Sequence, residues 1–105
     1  MNMQELEQLI YKGEKVDIEY KEAENNVPRS VYESYSAFAN TKGGYIILGV
    51  KEDKKKLLPR ERFIIQGIQN SKKQVEDFWN TINSSKVNRN ILKDEDVFIV
   101  EKSGI

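Results

Sequence analysis

Apolar and polar residues along this chain recur with two different periods, and each change of period marks a predicted element. Between positions 3 and 10 the apolar residues follow the helical spacing, so we predict a helix over residues 2–12 with Asn2 as its cap. The letters VDIEYK at 16–21 alternate strictly between apolar and polar. This alternation predicts a strand that is buried on one face only.

The middle of the chain repeats this order of helix and strand. Pro28 suits the first turn of a helix, and helical spacing continues from there to about Asn40. The letters YIILGV at 45–50 are apolar at both alternating sets of positions, which predicts a central strand buried on both faces. Gly49 inside that strand indicates a bulge or a close backbone approach.

The last third contains a charged loop, a helix and two short strands. Residues 51–62 are charged and include a proline, so we expect a loop, and 63–65 are expected to form a short strand. Ser71 and Gln74 match a capping box at the start of the most periodic helix in the chain. β-Forming residues at 97–101 predict a final strand.

These elements indicate one α+β domain over residues 1–105, with a small mixed sheet and helices packed mainly on one face. The final strand ends on a turn at the chain terminus, which is typical of a fragment cut from a longer protein.

Composition narrows the possible chemistry. The chain has 105 residues, 17 basic and 17 acidic side chains, no cysteine and no histidine. Disulfides, thiolate zinc sites and histidine bases are therefore excluded within this chain. Charge balance argues against coating nucleic acid by bulk electrostatics, so a basic surface would require segregated charges.

With no apolar run near the roughly 20 residues of a bilayer span and no signal-peptide layout, we expect a cytoplasmic protein without a membrane partner.

Carboxylates form the first candidate site. The carboxylates of Glu14, Glu19, Glu52 and Asp53, if clustered, could hold Mg²⁺ or Mn²⁺, which prefer oxygen ligands and can activate water against a phosphodiester. A fully extended chain would separate Glu14 from Glu19 by roughly 16 Å, so the site requires a bend after Gly13. The alternative is a solvated strand face whose charges form cross-strand ion pairs.

Two further features could bind phosphate. Amides around Gly43 and Gly44 could cradle an anion, although the spacing is not that of a P-loop, and a helix cap with a tight turn explains the same pair. A basic segment could contact a nucleic-acid backbone, unless it is an ordinary solvated loop. Its residues are Lys51, Lys54, Lys55, Lys56, Arg60 and Arg62, and the fold could add Lys21, Lys42, Lys72 and Lys73.

Four segments together resemble a known family, the Schlafen-type Alba-like domain (AlbA_2, formerly grouped as a divergent ATPase). They are GEKVDIEYK (13–21), AFANTKGGYIILGV (37–50), ED (52–53) and IQGI (65–68). The resemblance implies a DNA-binding module at the front of a longer transcriptional regulator, with DNA favoured over RNA as partner. The sequence lacks a Walker motif, so it does not support an ATPase.

The resemblance also implies a possible active site. In some relatives three carboxylates form a metal-dependent RNA-cleaving site. By motif the first two correspond here to Glu14 and Glu19, and the third corresponds to Glu52 or Asp53, with Asp53 favoured. Lys51 stands where an acid is common in the family. A nuclease would use Mg²⁺ or Mn²⁺; otherwise no cofactor is expected.

Three functions therefore stay open. The first is nucleic-acid binding through Lys21, Lys42, Lys54, Lys55 and Lys56. The second is metal-dependent RNA cleavage by the three carboxylates. The third is a non-catalytic module that forms a homodimer by pairing edge strands.

Overall fold

The structure, a computed structural model, describes residues 1–12, 17–84 and 92–101. The helices are α1 (Met3–Lys12), α2 (Arg29–Ala39), the single-turn α3 (Pro59–Arg62) and α4 (Ser71–Ile82). The strands are β1 (Ile18–Lys21), β2 (Tyr45–Leu48), β3 (Val50–Glu52) and β4 (Phe63–Ile65), and a 3₁₀ turn covers Asp94–Asp96. The predicted α+β class is confirmed.

The strands form two short ladders of opposite sense. β1 and β2 pair in parallel, with Glu19 opposite Ile46 and Lys21 opposite Leu48, and α2 forms the crossover between them. β3 and β4 pair antiparallel. The predicted strand at 45–50 therefore does lie directly beside Glu19 and Lys21.

That strand is not continuous, however, because the chain turns at Gly49. Gly49 has a φ of +92°, and a Cβ built on it would lie 2.9 Å from the backbone of Gly67. Its carbonyl accepts hydrogen bonds from the amides of both Gln66 and Gly67. A glycine is needed for this close approach, and the turn lets β2 pair with β1 while β3 pairs with β4.

Gly44, the second of the two glycines between α2 and β2, lies where a side chain would not fit. A Cβ on Gly44 would lie 2.5 Å from the Asp17 carbonyl oxygen and 3.0 Å from the Phe38 ring, so only glycine fits there. The end of α2 consequently packs tightly against the start of the β1–β2 ladder, as the sequence indicated.

The apolar core lies against these strands. Ile10 from α1, Ile47 and Val50 are buried together, with Tyr20 and Phe63 packed against them. The expectation of a central strand buried on both faces over 45–50 was wrong, because β2 pairs with β1 alone among the described strands and Tyr45 remains 41% exposed.

A second apolar region joins α2 to α4. Val31 and Tyr35 of α2 and Ile82 of α4 are buried. The Tyr35 and Phe78 rings meet edge to face, and the Tyr32 ring stacks on Phe78 with 5.9 Å between centroids. These contacts fix α4 beside α2.

The cap of α1 is as predicted, but that of α4 is not. Asn2 Oδ1 accepts a hydrogen bond from the Glu5 amide at 2.8 Å. At α4 the cap residue is Asn70 in the left-handed region, without a side-chain cap bond. Gln74 is instead buried and donates to the Ala23 carbonyl, so the predicted capping box is wrong because a tertiary contact takes up the side chain.

Two other segments also differ from expectation. The predicted loop at 51–62 contains the end of β3 and the helix α3. Residues 97–101 form no strand. β-Forming residues alone do not make a strand, since a strand requires a neighbour to pair with.

Candidate nucleic-acid interface

An open cleft of about 840 Å³ lies beside β1 and β3, next to the start of α2. We call it the charged cleft, because six charged side chains line it: Glu19, Lys21, Glu22, Lys51, Glu52 and Lys54. They come from β1, the connector after β1, β3 and the turn after β3. Residues 19–22 and 51–54 meet because β2 runs parallel to β1, and the turn at Gly49 then brings β3 into contact with β1.

Aromatic rings form part of the cleft wall. The ring centroids of Tyr20 and Phe63 lie 4.5 Å apart, with 31° between their planes. Burial raises the pKa of the Tyr20 hydroxyl above its ordinary value of 10.0, and the negative charge of Glu52 raises it further. Tyr20 is therefore neutral at physiological pH, and its ring packs against Phe63.

The two arginines of the basic segment make contacts inside the molecule. Arg62 Nε donates to Glu52 Oε2 at 2.8 Å. The resulting salt bridge joins the end of β3 to the residue that precedes β4. The Arg60 guanidinium lies over the Tyr11 ring, 4.8 Å from its centroid. The basic segment thus divides into two arginines that stabilise the fold and four lysines that extend toward solvent.

The lysines predicted to contact nucleic acid do not all lie together. Lys21 and Lys54 line the charged cleft, and the exposed Lys55 and Lys56 follow in the same turn. Lys42 precedes the start of β2, whereas Lys21 ends β1, so the parallel ladder places them at opposite ends. The structure therefore brings two of the five predicted lysines, Lys21 and Lys54, into the cleft.

The predicted carboxylate site is only partly visible. Glu14 lies outside the described residues. Glu19 is exposed in the charged cleft, but Asp53 is not among the residues that line it. Asp53 Oδ1 accepts a hydrogen bond from the Lys55 amide at 3.1 Å, which stabilises the turn after β3.

Among the described residues no group of three or more acidic side chains is arranged to hold a metal ion. Because Glu14 is not described, the three-carboxylate site stays a prediction.

Comparison with known families decides the assignment. The sequence model of the family described as Schlafen, AlbA_2 matches residues 14–103, which is most of the chain. This chain belongs to the Schlafen AlbA_2 family. The resemblance seen in the sequence is therefore confirmed, and membership indicates a nucleic-acid-related domain.

Searches of curated proteins and of solved structures returned no significant match. Within the described residues of this AlbA_2 domain, none of the helices is both long and apolar enough to cross a bilayer.

Sequence reasoning missed two features of the AlbA_2 cleft. Lys51 lies in β3 and lines the cleft, whereas the sequence predicts a loop there, because the order Val50, Lys51, Glu52 does not alternate. The start of α2 was not connected with a site, yet Pro28 and Ser30 line the cleft. That second feature has no local signal, because it depends on how the crossover helix begins above β1.

Proposed function

We propose that this domain binds nucleic acid through the charged cleft, with DNA the favoured partner and a transcriptional regulator the setting. Membership in the AlbA_2 family supports a nucleic-acid-related role. The observation that carries the proposal is that Lys21 meets Lys51 and Lys54, from a distant stretch of the chain, in one cleft that also contains three glutamates. Phosphate contacts require lysines that are brought together in this way.

The start of α2 adds to the positive potential of this cleft. Its first turn contains no acidic residue, and its cap residue, Pro28, makes no side-chain hydrogen bond. Amides at a helix N-terminus attract anions, so a phosphate near Ser30 would gain from the helix as well as from the lysines.

The acidic residues of the cleft act in the opposite direction. Glu52 is paired with Arg62, which reduces its effect on a bound phosphate. Glu19 and Glu22 are exposed and have no ion-pair partner among the described residues. They would hold affinity below that of a uniformly basic groove.

The proposal is tested by fluorescence anisotropy with labelled duplex DNA, and with RNA of the same sequence, over a series of salt concentrations. A variant with Lys21, Lys51 and Lys54 changed to Gln should bind more weakly. The slope of log affinity against log salt should fall by roughly 0.9 for each lysine that contacts a phosphate of duplex DNA.

A matched variant with Lys42, Lys72 and Lys73 changed to Gln loses the same charge away from the cleft and should keep most of the affinity. Equal weakening of both variants, or no binding by the unaltered protein at low salt, would contradict the proposal. A preference for the RNA probe would support the cleft as the binding surface but would mean that RNA, not DNA, is the favoured partner.

A further inference from the structure

Two leucines at the tip of the turn after β3 are unusually exposed. Leu57 is 89% exposed and Leu58 is 63% exposed, more than any other large apolar residue among the described residues. Single exposed apolar residues are common on protein surfaces, whereas neighbouring exposed apolar residues can form a patch of the kind that marks interaction sites. Nothing in the apolar core requires these leucines.

The turn that presents the leucines is held by several hydrogen bonds. The Asp53 amide donates to the Arg62 carbonyl at 2.7 Å, and the Lys56 amide donates to the Asp53 carbonyl at 3.1 Å. On the far side, the Arg62 amide donates to the Leu58 carbonyl at 2.8 Å. The Glu52–Arg62 salt bridge closes the base of the same segment. A partner would therefore meet a preorganised tip and would lose little entropy in ordering it.

Charge around the tip indicates the chemistry of that partner. Lys54, Lys55 and Lys56 directly precede Leu57, and Lys54 also lines the charged cleft. Three lysines therefore stand next to the apolar pair in sequence, and Lys54 connects them to the charged cleft. A nucleic-acid duplex offers the complementary surface, with phosphates outside and stacked bases inside.

We propose that the Leu57–Leu58 tip enters the minor groove of a bound duplex and inserts between adjacent base pairs, while Lys54, Lys55 and Lys56 bind the flanking phosphates. This inference rests on the proposed function. Apolar side chains such as leucine can partly unstack a base step and kink the duplex toward the major groove. Binding through this tip should therefore bend the nucleic acid.

The test measures bending by energy transfer between dyes at the two ends of a short DNA duplex, together with affinity by anisotropy. A variant carrying Leu57→Ala and Leu58→Ala should no longer bend the duplex and should bind about 10-fold more weakly, since the inserted apolar surface is lost. Its salt dependence should be unchanged, because every lysine remains. Ile64→Ala is the control, since Ile64 is also exposed, at 44%, but lies on β4 away from the tip.

Each outcome separates the tip from the cleft. Binding by the unaltered protein without bending, or equal binding and bending by the double variant, overturns the insertion and leaves the proposed function intact. Failure of the unaltered protein to bind any nucleic acid overturns both. Leucine-dependent capture by vesicles of anionic lipid, without bending of DNA, overturns the insertion in favour of a membrane surface. Thermal unfolding of the double variant should match that of the unaltered protein, because neither leucine belongs to the core.

Discussion

Tyr20 is the residue at which the apolar core and the charged cleft meet. Its ring packs against the cluster of Ile10, Ile47 and Val50, while the residue also lines the cleft beside Glu52. Burial and the neighbouring carboxylate both disfavour the tyrosinate, so the pKa of Tyr20 lies above its ordinary value.

A variant with Glu52 changed to Gln should lower the pKa of Tyr20 toward, but not to, the ordinary value, because burial remains after the charge is removed. Alkaline ultraviolet titration measures this change, and a Tyr20→Phe variant identifies the contribution of Tyr20 among the five tyrosines. Glu61→Gln, on the exposed face of α3, is the charge-matched control. An unchanged Tyr20 titration in the Glu52 variant would show that the carboxylate does not act on the hydroxyl.

The same shift makes stability depend on pH in a defined direction. Because the folded-state pKa is raised, the contribution of Tyr20 to stability is fully present below pH about 10 and is lost as pH rises through the folded-state pKa. Tyr20→Phe should therefore flatten the alkaline decline in the free energy of unfolding.

Individual glycines were the most predictable residues of the fold. Gly44 and Gly49 stand where backbone or ring atoms leave no room for a side chain, and the sequence indicated a tight turn at the first and a close approach at the second. The grouping of lysines was less predictable. Lys42 and Lys21 carry the same charge, and only the parallel register shows that they lie at opposite ends of the ladder.

At the scale of elements, Gln74 connects parts of the chain that lie far apart in sequence. Its side-chain amide donates to the carbonyls of Ala23 and Gln69, at 2.8 and 3.1 Å, and so holds α4 against the connector after β1. That connector carries Glu22 into the charged cleft. The position of one cleft wall therefore depends on a helix that does not itself line the cleft.

Gln74→Ala should lower the free energy of unfolding by about 1–3 kcal/mol, because buried carbonyls lose their donor. Alanine is the better helix former, so a loss cannot come from helix propensity. Urea unfolding followed by circular dichroism measures the change, and Gln8→Ala, an exposed substitution in α1, is the control. Equal stability of the two variants would mean that Gln74 does not hold α4 in place.

The type of an element was predicted correctly mainly where the spacing of apolar residues repeated over several turns. α1, α2, α4 and β4 lie where the pattern predicted them. The capping box failed because Ser71 and Gln74 match its spacing while Gln74 is used by a tertiary contact. The final strand failed because local preference does not reveal whether a neighbouring strand is within reach.

At the scale of the whole molecule, the absence of net charge makes the arrangement of charges decisive. The 17 basic and 17 acidic residues cancel in number, and the internal contacts of Arg60 and Arg62 leave the lysines of the cleft to act outward. Glu19 and Glu22 oppose those lysines at short range. Affinity for nucleic acid should consequently be sensitive to small changes of charge in this cleft.

Glu22→Gln should strengthen binding to duplex DNA by roughly two- to tenfold at low salt, because repulsion of phosphate is removed, and the gain should shrink as salt rises. Anisotropy titration measures the affinity, and Glu33→Gln, an exposed substitution in α2, is the control. Weaker binding by the Glu22 variant would mean that the carboxylate holds the ligand or a cation rather than repelling phosphate.

Glu19→Gln separates binding from the three-carboxylate hypothesis. If the domain only binds, this variant should keep or increase its affinity for nucleic acid. If Glu19 is a metal ligand of a nuclease, Mn²⁺-stimulated RNA cleavage by the unaltered protein should disappear in the variant.

Binding at the charged cleft is tested most directly by titrating the isotope-labelled domain with duplex DNA and following its backbone amide resonances. We predict that the largest shifts fall at Lys21, Ser30, Lys51 and the turn at 53–58, with little change around Lys42 or in the exposed face of α4. Shifts confined to Lys42, Lys72 and Lys73, with the charged cleft unperturbed, would contradict it.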